Sequence, residues 1–181
     1  MEEGKVYRRA DLSKHSPSLD RHLDKLIKEN RLQKVSAGLY LRPNTSAFGT
    51  LPANDNSLVH SFLKDDRFLI NSFNNYNQLG LGLTQLYNSQ VVYNYRRHGE
   101  FELAGKKFFF KRIPKFPRQL TKEYLLVDML NNLKNLAEDE NVVVDSFLAN
   151  KDKFDAKKVL SVAKQYGRPK TKKLLEKAYS K

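Results

Sequence analysis

Ser16-Pro17-Ser18-Leu19-Asp20-Arg21-His22-Leu23-Asp24-Lys25-Leu26-Ile27-Lys28-Glu29 carries a helical pattern. At 100° per residue Leu19, Leu23, Leu26 and Ile27 fall on one narrow stripe, with Ser18, Arg21, Lys25 and Lys28 opposite. Ser16 is a good N-cap residue and Pro17 suits the first helical position, so the spacing predicts a helix over 16–29 with Asn30 as its stop. Two short strands follow, 32–35 and 38–41, turning at Ser36-Ala37. Gly38 serves that turn because a tight hairpin needs a residue tolerant of positive φ. Upstream, Arg9-Ala10-Asp11-Leu12 reads as one helical turn. Helix, helix and two-stranded hairpin is the order of a winged helix-turn-helix.

Outward from this unit, Pro43-Asn44-Thr45-Ser46 through Asn56-Ser57 is rich in Pro, Asn, Ser and Gly and reads as a linker over 44–57. The chain then divides into a winged helix-turn-helix domain, 1–43, and an α+β domain, 58–181. In the second domain Ser57 to Leu63 reads as a helix, and residues 67–70, 90–95, 100–103 and 107–110 read as strands. Arg97-His98-Gly99 and Ala104-Gly105 are turns. Asn74 to Gln85 has no clear assignment. Thr121 caps a helix whose Leu126, Met129, Leu130, Leu133 and Leu136 make an apolar stripe. Asp155 caps another, Gly167 ends it, and Pro169 starts a last one. The expected fold class is α+β: an N-terminal winged helix-turn-helix, then a mixed α/β domain with a helical C-terminal end.

Thirty-three Lys and Arg against twenty Asp and Glu leave the 181-residue chain at +13. So large a positive charge favours a polyanionic partner, double-stranded DNA first. The charge is uneven: net +4 over residues 1–43, −1 over 44–104, +6 over 105–119, −4 over 120–150 and +8 over 151–181. The chain has no cysteine, which excludes a disulfide scaffold, a thiolate zinc site and a cysteine nucleophile. No apolar run approaches the ~20 residues of a membrane helix, and Met1-Glu2-Glu3-Gly4 is no secretory leader, so a cytoplasmic address is expected, away from membranes.

The candidate DNA-binding residues are Ser16, Ser18, Arg21, His22, Lys25 and Lys28 on the helix, with Lys34, Ser36 and Arg42 on the hairpin. Asp24 on the same helical face opposes phosphate. A secondary basic surface is expected from Lys106, Lys107, Lys111 and Arg112 in the centre and from Lys164, Arg168, Lys170, Lys172 and Lys173 near the C-terminus. The central cluster runs on to Lys115 and Arg118, and Phe108, Phe109, Phe110 and Phe116 interleave with it. That arrangement offers an alternative reading, a protein that stacks single-stranded nucleic acid. Against it, Phe108 and Phe110 share one face of a strand, as core residues do.

Signals for an enzyme are weak. His15, His22, His60 and His98 are scattered, with no pair at metal-ligand spacing. Asp128, Glu138, Asp139, Glu140 and Asp145 are the only carboxylates that suggest a metal-dependent nuclease. Asp128 lies opposite the apolar stripe of its helix, however, and Glu138-Asp139-Glu140 reads as a polar helix end. Gly80-Leu81-Gly82 lacks the third glycine of a dinucleotide loop, and no Walker loop is present. A non-enzymatic protein without cofactor or metal is therefore expected.

Taken together, Gly4-Lys5-Val6-Tyr7, Asp11-Leu12, the Leu19–Glu29 segment, Val35-Ser36-Ala37-Gly38-Leu39-Tyr40, Pro43, Phe48-Gly49-Thr50-Leu51-Pro52, Asn77-Gln78-Leu79-Gly80-Leu81 and Thr84-Gln85 resemble the AbiEi-type antitoxins of bacterial type IV toxin–antitoxin systems. The resemblance covers residues 4–112. It implies an N-terminal winged helix that binds inverted repeats in its own promoter. It also implies a second domain that neutralises a nucleotidyltransferase-like toxin, with or without direct contact. Members of the family usually carry a full helix before the Gly-Lys-Val-Tyr-like segment, where this sequence has Met1-Glu2-Glu3.

Overall fold

The computed structural model describes residues 1–47 and 49–180. Phe48, part of the family-like Phe-Gly-Thr stretch, lies outside the described residues. The fold is α+β. Its first unit runs β1 (Val6–Arg8), α1 (Arg9–Leu12), α2 (Leu19–Lys28), β2 (Gln33–Ser36) and β3 (Leu39–Leu41). The strands form an antiparallel sheet in the order β1-β3-β2. Strand β1 carries no sequence signature of its own; Val6, Tyr7 and Arg8 are held extended by pairing with Leu41, Tyr40 and Leu39. Helix α2 buries Leu19 and Leu23 against Leu32 and Tyr40, with Leu12, Leu26 and Ile27 closing the edges.

Helix α2 is shorter at its start than the sequence pattern predicts. Ser16 Oγ bonds His22 Nδ1 at 2.9 Å instead of capping, and Ser18 stands at the N-cap without a side-chain bond. At its other end Asn30 turns the chain at φ +54°, the stop that was expected.

Within the expected linker, β4 (Thr45–Ser46) pairs with β5 (Gly49–Thr50), and α3 (Asp55–Leu63) already begins. The cap explains the early start: Asn54 Oδ1 accepts the Ser57 N–H at 3.1 Å, placing Asp55 to Ser57 inside the first turn.

A mixed sheet follows, built from β6 (Phe68–Asn71), β7 (Ser89–Asn94), β8 (Gly99–Leu103) and β9 (Lys106–Arg112). Its order is β6-β7-β9-β8, with β7 and β9 parallel and the other pairs antiparallel. The period-2 alternation of strands sends Ile70, Val92, Leu103, Phe108 and Phe110 to one face. There they share a core with Leu58, Val59 and Leu63 of α3 and with Val35, Leu39 and Leu41 of the first sheet. Leu69, Val91, Tyr93 and Phe109 face the other way, toward Tyr124. The N-terminal unit is thus packed directly on the second sheet, and the Ala104 N–H donates to the Val35 carbonyl across the junction at 3.0 Å.

The second face is covered by α4 (Lys122–Asn131) and α6 (Ala156–Tyr166), and α5 (Glu140–Asn150) and α7 (Pro169–Tyr179) complete a helical core with them. Thr121 and Asp155 cap α4 and α6, accepting from the Tyr124 and Lys158 N–H groups, as their side-chain chemistry predicts. Helix α4 ends at Asn131, so Leu133 and Leu136 of the apolar stripe lie beyond it. Glu138-Asp139-Glu140 opens a helix rather than ending one. Asp139 Oδ1 accepts the N–H groups of Asn141 and Val142 at the start of α5.

The unassigned segment is also ordered. Phe73–Leu79 forms a 3₁₀ run, and Leu79, Leu81 and Leu83 all point into the helical core. Gly80 and Gly82, at φ +69° and +76°, allow three alternate leucines to turn inward, so Gly80-Leu81-Gly82 serves packing.

Candidate nucleic-acid interface

The stripe of α2 is satisfied by Leu32 and Tyr40 beneath it, so its polar side is turned out. Arg21, Asp24, Lys25, Lys28 and Glu29 line one shallow depression there. Their charges are not equivalent. Lys25 approaches Glu29 at 3.9 Å, and Arg31 approaches the same carboxylate at 3.5 Å. Asp20, which would repel a phosphate, is held by Arg9 through Nε at 2.9 Å and Nη2 at 2.7 Å. That fork keeps the Asp20 carboxyl below its ordinary range. Among the described residues Arg21, Lys28 and Lys34 have no carboxylate within ion-pair distance. Lys34 pairs across the hairpin with Tyr40, and cross-strand partners share a face, so it lies on the side that carries α2.

The remaining hairpin residues are differently disposed. Ser36 is half-buried beside a register shift in β2. Arg42 donates through Nη1 to the Arg31 carbonyl at 3.1 Å, and its Nη2 lies 3.9 Å from Glu3, so both terminal nitrogens are directed within the unit. Its buried Nε has no hydrogen-bond partner among the described residues. The hairpin tip is tied down as well, since the Arg9 N–H donates to the Gly38 carbonyl at 2.9 Å. Ser18 and His22 are exposed, and His22 is engaged by Ser16.

The expected secondary surface does not form one stripe. Lys106 is bound to Asp55 Oδ1 at 2.6 Å, and Lys170 reaches Glu140 at 3.4 Å. Lys107, Arg112, Lys164 and Lys173 are exposed, and Lys172 is half-buried. Two members do converge: Lys111, at the end of β9, and Arg168, at the corner between α6 and α7, line one cavity together with Lys115. Phe108 and Phe110 are buried in the core, so their ring faces are closed to bases.

Asp128 requires a correction. Sequence spacing places it on a solvated face; in the structure it is 3% exposed. Helix α4 is buried on every side between the sheet and its sister helices, so the side opposite the leucine stripe faces the sheet. The carboxylate accepts from Tyr93 OH at 2.7 Å, Tyr76 OH at 2.8 Å and Asn71 Nδ2 at 2.9 Å, with Asn132 Nδ2 at 3.2 Å. Burial raises its carboxyl above the ordinary range despite those donors, and it lifts Tyr76 and Tyr93 well above theirs. Lys111 Nζ donates to Asn132 Oδ1 at 2.6 Å at the rim of this network. Burial and then the nearby Arg168 push its amine down, against the pull of Asp128. The sequence did hold a signal: Asp128 is the one polar residue between Leu125 and Leu130, and Asn132 follows it four residues on, one turn along the same side.

Among the described residues no group of three or more His, Asp or Glu is placed to hold a metal ion. Among them, too, no helix is long and apolar enough to cross a membrane. No family model matches the chain, and no significantly similar curated protein or solved structure is found.

Proposed function

We propose that this chain is a cytoplasmic duplex-DNA-binding protein, an antitoxin and autorepressor that reads inverted repeats through α2 and restrains a nucleotidyltransferase-like toxin. One observation carries the DNA reading. Among the described residues Arg21, Lys28 and Lys34 have no carboxylate within ion-pair distance on the outward side of the α2 layer; Arg9 neutralises Asp20, and Asp24 is the acid left exposed among them. The strand order β1-β3-β2, with α1 and α2 inserted between β1 and β2, supports a winged-helix reading of the unit. Helix α3 packs against β1 and under the same sheet. The antitoxin assignment rests on the family resemblance of residues 4–112. The single-strand alternative is disfavoured by the burial of Phe108 and Phe110.

The test is fluorescence anisotropy with a duplex from upstream of the chain's own gene, a random duplex and a single strand. Replacing Arg21 and Lys25 by Ala touches neither Leu19 nor Leu23, so the variant melts like wild type. It is expected to lose operator affinity by about 5- to 150-fold, the worth of a good base contact. Unchanged operator binding in the double variant overturns the proposal. When toxin is supplied from an unrelated promoter, the same variant is expected still to rescue growth.

A further inference from the structure

The cavity at the α6–α7 corner has a charge pattern that α2 does not explain. Its volume is about 290 Å³, and it opens between the end of β9, the following 113–115 loop, α4 and the corner itself. Three cations meet there: Lys111 and Lys115 from the end of β9 and the loop after it, and Arg168 from the distant α6–α7 corner. Among the described residues none has a carboxylate within ion-pair distance. The one acid in the lining, Asp128, is sealed at its floor, with its oxygens committed to Tyr93, Tyr76, Asn71 and Asn132. Lys111 is half-buried with only an amide as its acceptor. A cation drawn out of water is costly; burial and the nearby Arg168 depress its amine below the ordinary lysine value, against the weaker pull of the sealed Asp128.

The corner is built to hold its shape. Arg168 N–H donates to Asn131 Oδ1 at 2.8 Å, and Asn131 Nδ2 donates to the Tyr166 carbonyl at 3.0 Å, which locks the α6–α7 turn onto α4. Gly167 is required there because a Cβ would lie 2.6 Å from the Ala163 carbonyl oxygen. Tyr124 and Tyr166, in edge-to-face contact with centroids 5.5 Å apart, give the cavity an aromatic wall.

We propose that this cavity binds the phosphoryl group of a small phosphomonoester. Lys111, Lys115 and Arg168 supply the charge, and the tyrosine wall receives the organic part. A guanidinium fork beside two ammonium groups suits the several oxygens of a phosphate dianion better than it suits a single carboxylate. The volume is too small for a folded partner and close to the lower limit of small-ligand sites. This site lies on the helical side of the second sheet, whereas α2 belongs to the unit on the other side, so it is independent of the DNA reading.

The experiment is titration calorimetry and thermal melting of the full chain with inorganic phosphate, ribose 5-phosphate, AMP and adenosine. Binding of the phosphorylated probes, with adenosine silent, is expected. Arg168→Ala and Lys115→Ala alter exposed side chains that have no partner among the described residues, so both should melt like wild type without ligand. Each is expected to weaken AMP binding about tenfold or more, the scale of a charge-assisted hydrogen bond, and Arg168→Lys should weaken it less. AMP is expected to bind more tightly than inorganic phosphate; equal affinity would overturn the role given to the tyrosine wall and leave recognition on the anion alone. Adenosine binding as tightly as AMP, AMP affinity unchanged in both Ala variants, or no heat from any phosphorylated probe at millimolar concentration overturns the proposal.

Discussion

At the scale of single residues, Asp128 has the most to lose. Four donors converge on it in a dry interior, and removing the acceptor leaves Tyr76, Tyr93 and Asn71 unpaired. Each buried donor left without a partner costs about 1–3 kcal/mol, so Asp128→Ala is expected to destabilise the protein by at least about 3 kcal/mol in urea denaturation. The carboxyl also imposes a pH dependence. Its folded pKa lies above its unfolded one, chiefly through burial. Between those two values the folded state therefore binds more protons than the unfolded state. The associated stability is present below the ordinary carboxylate range and is lost as pH rises through the folded value. Asp128→Asn cannot titrate, so urea midpoints measured upward from pH 4 should fall less steeply than those of wild type. Parallel profiles would show that Asp128 titrates alike in both states. Asp65 contributes in another window: its carboxyl is drawn down to about 2, first by the Arg67 side chain, and the difference between the two proteins cancels it.

At the scale of elements, caps and corners decide what a local pattern can deliver. Gly167→Ala puts a Cβ 2.6 Å from a backbone oxygen and 3.1 Å from Lys172 Cγ. The backbone oxygen cannot retreat without opening α6, so a loss of about 1–3 kcal/mol is expected from the urea midpoint. For α2 the expectation is electrostatic. Arg21, Lys25, Lys28 and Lys34 together should give a slope of log K against log salt steeper than about −3 on duplex DNA, since each phosphate neutralised contributes about −0.9. A flat salt titration would remove that face from consideration. What the sequence reveals follows the same logic. Thr121, Asp155, Asn30 and Pro169 mark helix ends by their own chemistry, and all four marks hold in the structure. Strand β1 is defined only by its partner β3, and α5 hides behind an acidic triplet whose middle residue is a cap. Asp128 escapes because a single apolar stripe presupposes a helix with one wet side, and α4 has none. The outward residues of α2 are legible because that helix does have one.

At the scale of the whole molecule, the two expected domains share a core. The α2 layer buries only Leu19, Leu23, Leu32 and Tyr40, whereas the underside of its sheet depends on α3, Leu103, Phe108 and Phe110. Fragment 1–43 is therefore expected to show no cooperative thermal transition by circular dichroism, and the full chain a single one. A folded fragment would show that the junction is dispensable. The same sheet has a consequence for the protein's birth. Val35, Leu39 and Leu41 are synthesised early, and the side chains that cover them begin to arrive with α3 but are complete only with β9, about seventy residues later. At ribosomal speeds of about 5–20 residues per second, the nascent chain exposes an unfinished apolar surface for several seconds. Protease pulses on ribosome-bound chains should find residues 1–43 cleavable until residue 112 has left the exit tunnel. The oldest part of each molecule would then be among the last to become native.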